Sequence, residues 1–275
     1  MASKSLTLVP VGGLGNRIFA IVSAIAYCAE RNYPLRILWF RDWGMGARFH
    51  DLFELNEELR KVSVLDAKWY HSFLFDKPRR KNLWIPRLFQ SVFFDKRIYE
   101  KQLYQLDKPE DIVSELDEAK GHVYLIHLAK FYVKENLFEA FRPVKSLRDA
   151  IAMRTRDFST YTVGMHVRRT DNTRAIQSSP LSWFIQQAER EIALHPDVKF
   201  YVATDSNKDK QSLKAILGNR MLTSWNEVRR DTQDGIKDAV IELYTLSKTQ
   251  KIYGSAYSTY SMLASELSNI PLILS

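Results

Sequence analysis

Four clusters in the 275-residue chain combine residue types able to hold or activate an anionic group. The densest is His166-Val167-Arg168-Arg169-Thr170-Asp171. Two adjacent arginines leaving a β-type run are costly unless they meet an anion, and a planar guanidinium pairs with two phosphate oxygens at once. When a diphosphate departs, negative charge grows on its oxygens, and cations already aimed there lower the barrier. The alternative is a structural cluster in which Asp171 pairs with an arginine. A metal centre is a poorer reading, because one His and one Asp among arginines are too few ligands in a repulsive field.

Gly12-Gly13-Leu14-Gly15-Asn16-Arg17 stands between a β-type run and a helical one. Glycines there either let a polar ligand approach fresh helix-start amides or make only a tight turn. The spacing is not a dinucleotide fingerprint, which would need a glycine at Ile18, and the Gly-Lys-Ser/Thr ending of a Walker loop is missing. In Ala203-Thr204-Asp205-Ser206, Asp205 either hydrogen-bonds ribose hydroxyls or caps the next helix. Segments 242–247 and 254–261 bring Glu242 and a set of hydroxyls to another helix start, as a phosphate or hydroxyl cradle or as a cap alone.

The elements that must carry these clusters alternate. Residues 5–9 read as a strand, 12–16 as a tight turn, 17–32 as a helix and 35–40 as the next strand. Between 41 and 118 the pattern blurs, and 122–128 is again strand-like. After Pro143 come a charged helix through 156, strands at 161–167 and 199–203, and helices at 179–194 and 206–217. Strands at 221–224, 251–253 and 271–274 then alternate with helices at 236–247 and 258–267. Such order implies parallel sheets covered by helices, with ligands at the carboxyl ends of the strands. The expected fold is α/β with two lobes, 1–143 and 144–275.

With 45% hydrophobic, 12% aromatic and 26% charged residues the chain can bury a core, which excludes disorder as the main reading. A single cysteine, Cys28, excludes an internal disulfide and reads as a small buried hydrophobe. No run approaches the roughly 18 apolar residues of a membrane span, and the first residues lack the apolar region of a signal peptide. A cytoplasmic protein is expected, peripheral at most to the inner membrane face. Forty basic against 32 acidic residues leave a charge of +8, which suits an anionic partner. The densest basic run, Lys77 with Arg79, Arg80 and Lys81, precedes an apolar stretch, and reads as a solvated loop or as a contact with a membrane surface or an acidic acceptor. Nucleic acid is not expected, because a diphosphate explains the clusters better than base stacking does.

In this order the clusters resemble the fucosyltransferase superfamily, which includes the alpha-1,2- and alpha-1,6-fucosyltransferases and the protein O-fucosyltransferases. Gly12 to Arg17 resembles the amino-terminal glycine-rich motif of that family, and 166–171 is close to its form in the alpha-1,6 enzymes. Segments 203–206 and 238–261 resemble the later donor motifs; 41–120 is hardly covered. The resemblance implies a GT-B fold, two facing Rossmann-like lobes, and an inverting, metal-independent transfer of fucose from GDP-fucose to a glycan. No cofactor is implied beyond the donor. The acceptor is expected on the amino-terminal lobe, and the basic run hints that it is anionic or lipid-linked.

Carried over residue by residue, Arg168 would hold the β-phosphate with Arg169 supporting it, and Asn16 would lie beside the reacting sugar. His166 and Glu242 would contact guanine, Glu242 standing where most of the family has aspartate. Asp205 would lie near the ribose, Ser258, Thr259 and Tyr260 near the diphosphate, and Gly13 and Gly15 in the glycine-rich donor turn. One departure concerns the base. The alpha-1,6 enzymes have a glutamate shortly after the arginine motif, where this chain has residues 172–177 without a carboxylate. Asp171 and Asp42 are the carboxylates that remain, and a loose transfer without a strong base is the third option. The same scaffold using another GDP-sugar, and a non-catalytic nucleotide-sugar or glycan-binding module, are the competing functions.

Overall fold

The computed structural model describes residues 4–78, 84–99, 109–134, 137–169, 173–227 and 229–275. The chain divides into two compact units. One runs to Val144 and takes back Arg230–Ile236; the other comprises Lys145–Arg229 and Lys237–Ser275. Residue 143, where the sequence placed the boundary, adjoins the division at Val144, but the return of 230–236 has no counterpart in the sequence pattern.

The first unit is built on β1 (Ser5–Pro10), α1 (Leu14–Glu30), β2 (Leu35–Trp39), β3 (Phe53–Leu55), β4 (Val62–Asp66), α2 (Trp84–Phe93), β5 (Lys96–Ile98), α3 (Pro109–Glu118), β6 (His122–His127) and β7 (Phe141–Pro143). Five strands form a parallel sheet in the order β4-β2-β1-β6-β5, while β3 and β7 pair antiparallel outside it. The central strands are buried on both faces except at their first residues, which explains their continuous apolar runs. β4, at the edge, alternates exposure, and that weak signal sits in the stretch where the sequence pattern blurs. α1 is buried nearly all round, as its Ala- and Ile-rich composition requires. It ends where Asn32 turns to φ +56° and Tyr33 N–H reaches back to the Cys28 carbonyl at 2.8 Å. Cys28 itself is buried, and burial pushes its thiol up to about 12.

The second unit contains α4 (Lys145–Thr155), β8 (Thr162–Val167), α5 (Thr173–Ser178), α6 (Leu181–Leu194), β9 (Lys199–Thr204), α7 (Asn207–Leu217), β10 (Met221–Leu222), α8 (Gln233–Leu246, beginning in the returning segment), β11 (Ile252–Gly254), α9 (Thr259–Ser268) and β12 (Leu272–Leu274). Its parallel sheet runs β10-β9-β8-β11-β12, the Rossmann order, which reverses between β8 and β11. Val163, Met165 and Val167 of β8 pack with Phe200 and Val202 of β9 and with Phe184 and Leu213 from the helices. Every strand expected in this half forms. α8 starts at Gln233, three residues ahead of the expected helix, because the returning segment already runs into its first turn.

That return is held by a close approach of two backbones. Gly46 N–H donates to the Arg230 carbonyl at 2.8 Å, and a Cβ at Gly46 would stand 2.4 Å from the Asp231 carbonyl. Gly46→Ala must therefore displace the 230–232 segment, at a cost of about 1–3 kcal/mol. Trypsin should cut faster after Arg229 and Arg230 in this variant than in the parent, with tryptic sites elsewhere unaffected.

Candidate functional site

The second unit gathers most of the expected residues at the β8/β11 switch point. Arg168 and Arg169 leave the carboxyl end of β8, and one carboxylate fixes both. Asp205 Oδ1 accepts the Arg169 backbone N–H at 2.7 Å, and its Oδ2 meets Arg168 Nη1 at 3.0 Å. The Arg168 backbone N–H donates to Ser255 Oγ at 3.0 Å, and the Ser255 N–H to the His166 carbonyl. Ser255 thus ties the ends of β8 and β11 together.

The two arginines have different surroundings. Arg169 Nε meets Asp209 on α7 at 3.1 Å and its Nη1 donates to the Ser179 carbonyl at 2.7 Å, so it braces the strand end against two neighbours. Arg168 keeps about a fifth of its side chain in solvent. Asp205 therefore orients Arg168 and does not cap a helix: the N-cap of α7 is Ser206, whose Oγ accepts the Asp209 N–H.

Around this point stand the other expected residues. His166 is buried, with Nδ1 3.5 Å from Ser258 Oγ and its ring 4.9 Å from that of Tyr260. Tyr260 donates to the Ala239 carbonyl at 2.6 Å, and burial raises its phenol well above the ordinary value. Ser258 occupies the N-cap of α9 but makes no side-chain cap bond, so the amides of that first turn are not closed by its hydroxyl. Thr259 is the first residue of the same helix. Just before it, Tyr257 is 67% exposed and adopts φ +56°, a conformation bulky side chains avoid.

Glu242, on α8, faces the same region. It is partly exposed but closely surrounded by protein, and its carboxyl rises to about 7 through burial first and the nearby Asp238 carboxylate second, with Lys210 and Arg154 pulling the other way. Asp238 is held by Arg154 and by Asn226 at 2.9 Å. Lys210 is buried and donates to the Ser224 carbonyl at 2.5 Å. Arg154 Nη1 and Tyr201 Oη are buried without a hydrogen-bond partner.

The glycine motif lies in the first unit, at the carboxyl end of β1. Gly12 adopts φ +90°, and Gly13 is the N-cap of α1 without a side-chain bond. A Cβ on Gly13 would meet nothing within 4 Å, whereas one on Gly12 would press on Asn16 at 2.8 Å. Gly15 is buried in the first turn of α1, and Asn16 beside it is partly exposed. Arg17, fully buried, donates to the Gly12 carbonyl at 3.1 Å, the Phe40 carbonyl at 2.6 Å and Asp42 Oδ2 at 2.7 Å. Asp42 also accepts the Gly44 N–H at 2.7 Å. Asp171, the other carboxylate considered as a base, lies outside the described residues.

A pocket of about 510 Å³ opens in the same unit where the chain leaves β2 and β4. Trp43 and Trp69 stand at it 68% and 77% exposed, with Arg41, Lys68 and Lys77 along its wall and Asp42 and Asp231 among its lining. Among the described residues no group of three or more metal-ligating side chains gathers.

No protein-family model matches the chain, and no curated protein matches it by sequence. Solved structures do. NodZ alpha-1,6-fucosyltransferase, soaked with GDP-fucose, superposes with a TM-score of 0.72 at 16% identity, over 99% of this chain and 95% of that one. POFUT1 in complex with GDP-fucose gives 0.64 at 11%, over 98% of each chain. Arabidopsis thaliana FUT1, as a mutant in complex with GDP, gives 0.62 at 15%, over 99% of this chain and 70% of that one. The fold is the one these fucosyltransferases share. It is the α/β fold with two parallel sheets that the resemblance of the motifs implied.

Asp209 and Ser179 escape the sequence reading, while Ser255 and Arg17 fall inside its clusters without a role of their own. Arg17 had a usable signal, a lone cation in a helix otherwise apolar on most faces. Ser179 and Asp209 had none, since each acts through a tertiary contact with Arg169.

The raised carboxyl of Glu242 has a stability consequence. Its folded value of about 7 lies above the ordinary 4.5, so the fold binds the proton more tightly than the unfolded chain does. Stability on this account is full below about pH 4.5 and is lost as pH rises through 7. The loss reaches about 1–3 kcal/mol, allowing for the partial exposure. Urea unfolding at pH 5 and pH 8 should show the parent losing this amount and Glu242→Gln losing markedly less. Equal losses would remove Glu242 as the group responsible.

Proposed function

We propose that the chain is a glycosyltransferase that moves fucose from GDP-fucose to a glycan hydroxyl, inverting the anomeric carbon without a metal. The observation that carries this reading is Arg168, held at the switch point by Asp205 beside the uncapped start of α9. A guanidinium fixed in direction before the donor arrives, next to helix-start amides, suits a departing diphosphate. NodZ soaked with GDP-fucose and POFUT1 in complex with GDP-fucose have the same fold, which supports this donor.

In this reading Arg168 binds the β-phosphate and neutralises the leaving GDP, while Arg169 braces the strand that carries it. Thr259 and the amides of the α9 first turn take further phosphate oxygens. Ser258 and Tyr260 act one step back, by setting the ring of His166. Glu242 in its ionised form accepts the N1 and N2 hydrogens of guanine, with His166 on the same base. Asp205, whose two oxygens are engaged by Arg168 and Arg169, serves the donor by aiming Arg168 more than by reaching the ribose. Gly13 leaves room on the glycine turn of the first unit, where Asn16 follows it on α1. Asp42 has both oxygens engaged, Oδ2 by Arg17 and Oδ1 by the Gly44 N–H, which gives it a structural task. Departure driven by Arg168 then carries the step, with Asp171 as the remaining carboxylate candidate for the proton and a loose transfer without a strong base as the alternative.

The acceptor reading rests on the first-unit pocket. Exposed tryptophans offer flat apolar faces to sugar rings, and Arg41, Lys68 and Lys77 favour a saccharide bearing a negative group. Trp69→Ala should raise the KM for such an acceptor about tenfold and leave GDP affinity unchanged.

Calorimetric titration with GDP-fucose, GDP-mannose, GDP and UDP, in EDTA and then in magnesium, tests the donor. GDP-fucose should bind best, UDP least, and chelation should change nothing; preference for GDP-mannose would move the reading to another GDP-sugar. Arg168→Ala should lower turnover about 10²- to 10³-fold. Donor binding without any turnover in the parent would favour a binding module. Because the carboxylate form of Glu242 is the one that accepts from guanine, GDP affinity should fall as pH drops through about 7, and Glu242→Gln should flatten that dependence.

A further inference from the structure

The buried imidazole of His127, the last residue of β6, has no task in the transfer step. It is 3% exposed, and burial pulls its pKa down to about 4, so at neutral pH the ring carries a single N–H. A backbone bond fixes which nitrogen holds it. Ala129 N–H donates to Nδ1 at 3.0 Å, which puts the proton on Nε2. Among the described residues Nε2 has no hydrogen-bond partner. The side-chain atoms sealed from solvent without a partner, among those residues, are Arg154 Nη1, Arg169 Nη2 and Tyr201 Oη, so Nε2 opens outward. The ring is steadied by Phe131, 4.9 Å away between centroids, whose N–H donates to Ser23 Oγ of α1 at 3.2 Å. A donor fixed in tautomer and orientation but left unpaired suits an oxygen that arrives with a ligand.

The place of this N–H in the sheet indicates the ligand. Parallel α/β sheets bind at the carboxyl ends of their strands, and the first sheet sets those of β4, β2, β1 and β6 side by side. β2 and β4 run directly into the tryptophan pocket, through Phe40 to Trp43 and through Ala67 to Trp69. β1 runs into the glycine turn, and Arg17 fastens that turn to the pocket by donating to the Gly12 and Phe40 carbonyls. His127 pairs with Pro10 and its carbonyl accepts the Val11 N–H at 2.9 Å, so it adjoins the same turn from the other side. Its ring lies on the face of the sheet opposite to Tyr124 and Ile126, the face that carries α1. Neighbouring strands are about 4.8 Å apart, which sets the ends of β2 and β6 about 10 Å from each other. Between them Gly13 leaves open space, since a Cβ there would meet nothing within 4 Å. We propose that His127 is a specificity-determining residue of the acceptor side, its Nε2–H binding a hydroxyl oxygen of a saccharide that extends from the tryptophan pocket across the glycine turn. The acceptor is then longer than one sugar ring. This inference rests on the transferase reading, which supplies the saccharide.

Two substitutions separate the two nitrogens. In His127→Asn the side-chain oxygen stands in for Nδ1 and keeps the bond from Ala129, while nothing replaces Nε2–H. In His127→Gln an amide N–H reaches the place of Nε2, while the Ala129 bond is lost. The full chain and both variants would be applied to a printed array of neutral and acidic mono- and oligosaccharides, with GDP affinity and melting temperature measured alongside. The parent should retain oligosaccharides in preference to the matching monosaccharides. His127→Asn should weaken that binding about tenfold while GDP affinity and melting temperature stay close to those of the parent. His127→Gln should keep most of the saccharide affinity and melt lower. Saccharide affinity unchanged in His127→Asn, or losses in both variants that merely follow melting temperature, would overturn the inference. So would a parent that binds GDP and retains no saccharide, and in each of these cases the transferase reading stands. A parent without GDP affinity would overturn that reading and this inference with it.

Discussion

The second unit depends on how Asp205 spends its two oxygens. A carboxylate at a strand end could serve a ligand, a helix cap or a neighbouring cation. Here one oxygen holds the backbone of Arg169 and the other the guanidinium of Arg168. Two arginines side by side repel each other and lose hydration as they leave the buried strand β8, and two carboxylates offset these costs, Asp205 on the Arg168 guanidinium and Asp209 on that of Arg169. What remains is a paired strand end with fixed geometry. Asp209 and the Ser179 carbonyl then hold Arg169 against two neighbours, while Arg168 keeps about a fifth of its side chain in solvent.

The first unit solves a similar problem with the charge moved inside. Arg17 has no solvent contact, and its three bonds fasten the glycine turn, the end of β2 and Asp42 at once. Such a pair contributes little net energy against an apolar replacement, but losing one partner strands the other at a cost of about 3–5 kcal/mol. Its value lies in position: the open Gly13 and the pocket bounded by Phe40 and Asp42 keep their places relative to each other because one side chain touches both segments.

What the sequence made legible follows from the range of the interactions involved. The strands and helices from Lys145 onward announce themselves through apolar periodicity, and His166, Arg168 and Glu242 through residue type. The stretch from 41 to 118 did not, because its elements are an exposed edge strand, a short antiparallel pair and helices whose pattern is weak or misleading. The role of Asp205 stayed open between two local alternatives since the deciding contact, with Arg168, spans 37 residues of sequence and is invisible to any local rule. Ser258 shows the same limit in reverse: it takes the cap position that a serine there suggests, yet no cap bond forms, and its hydroxyl lies toward His166 on another strand.

α2 shows why periodicity alone cannot assign a surface. A helix with one apolar and one polar face carries the same pattern whichever face is buried, and the usual inference puts the apolar face inside because burial releases water. Three bonded partners for Gln90 reverse that choice. A buried amide with its donors and acceptor satisfied costs little, whereas the same group left unpaired in an apolar core would be expensive. The polar interior beneath α2 therefore stabilises an orientation that leaves four large apolar side chains, Leu88, Phe89, Val92 and Phe93, in water.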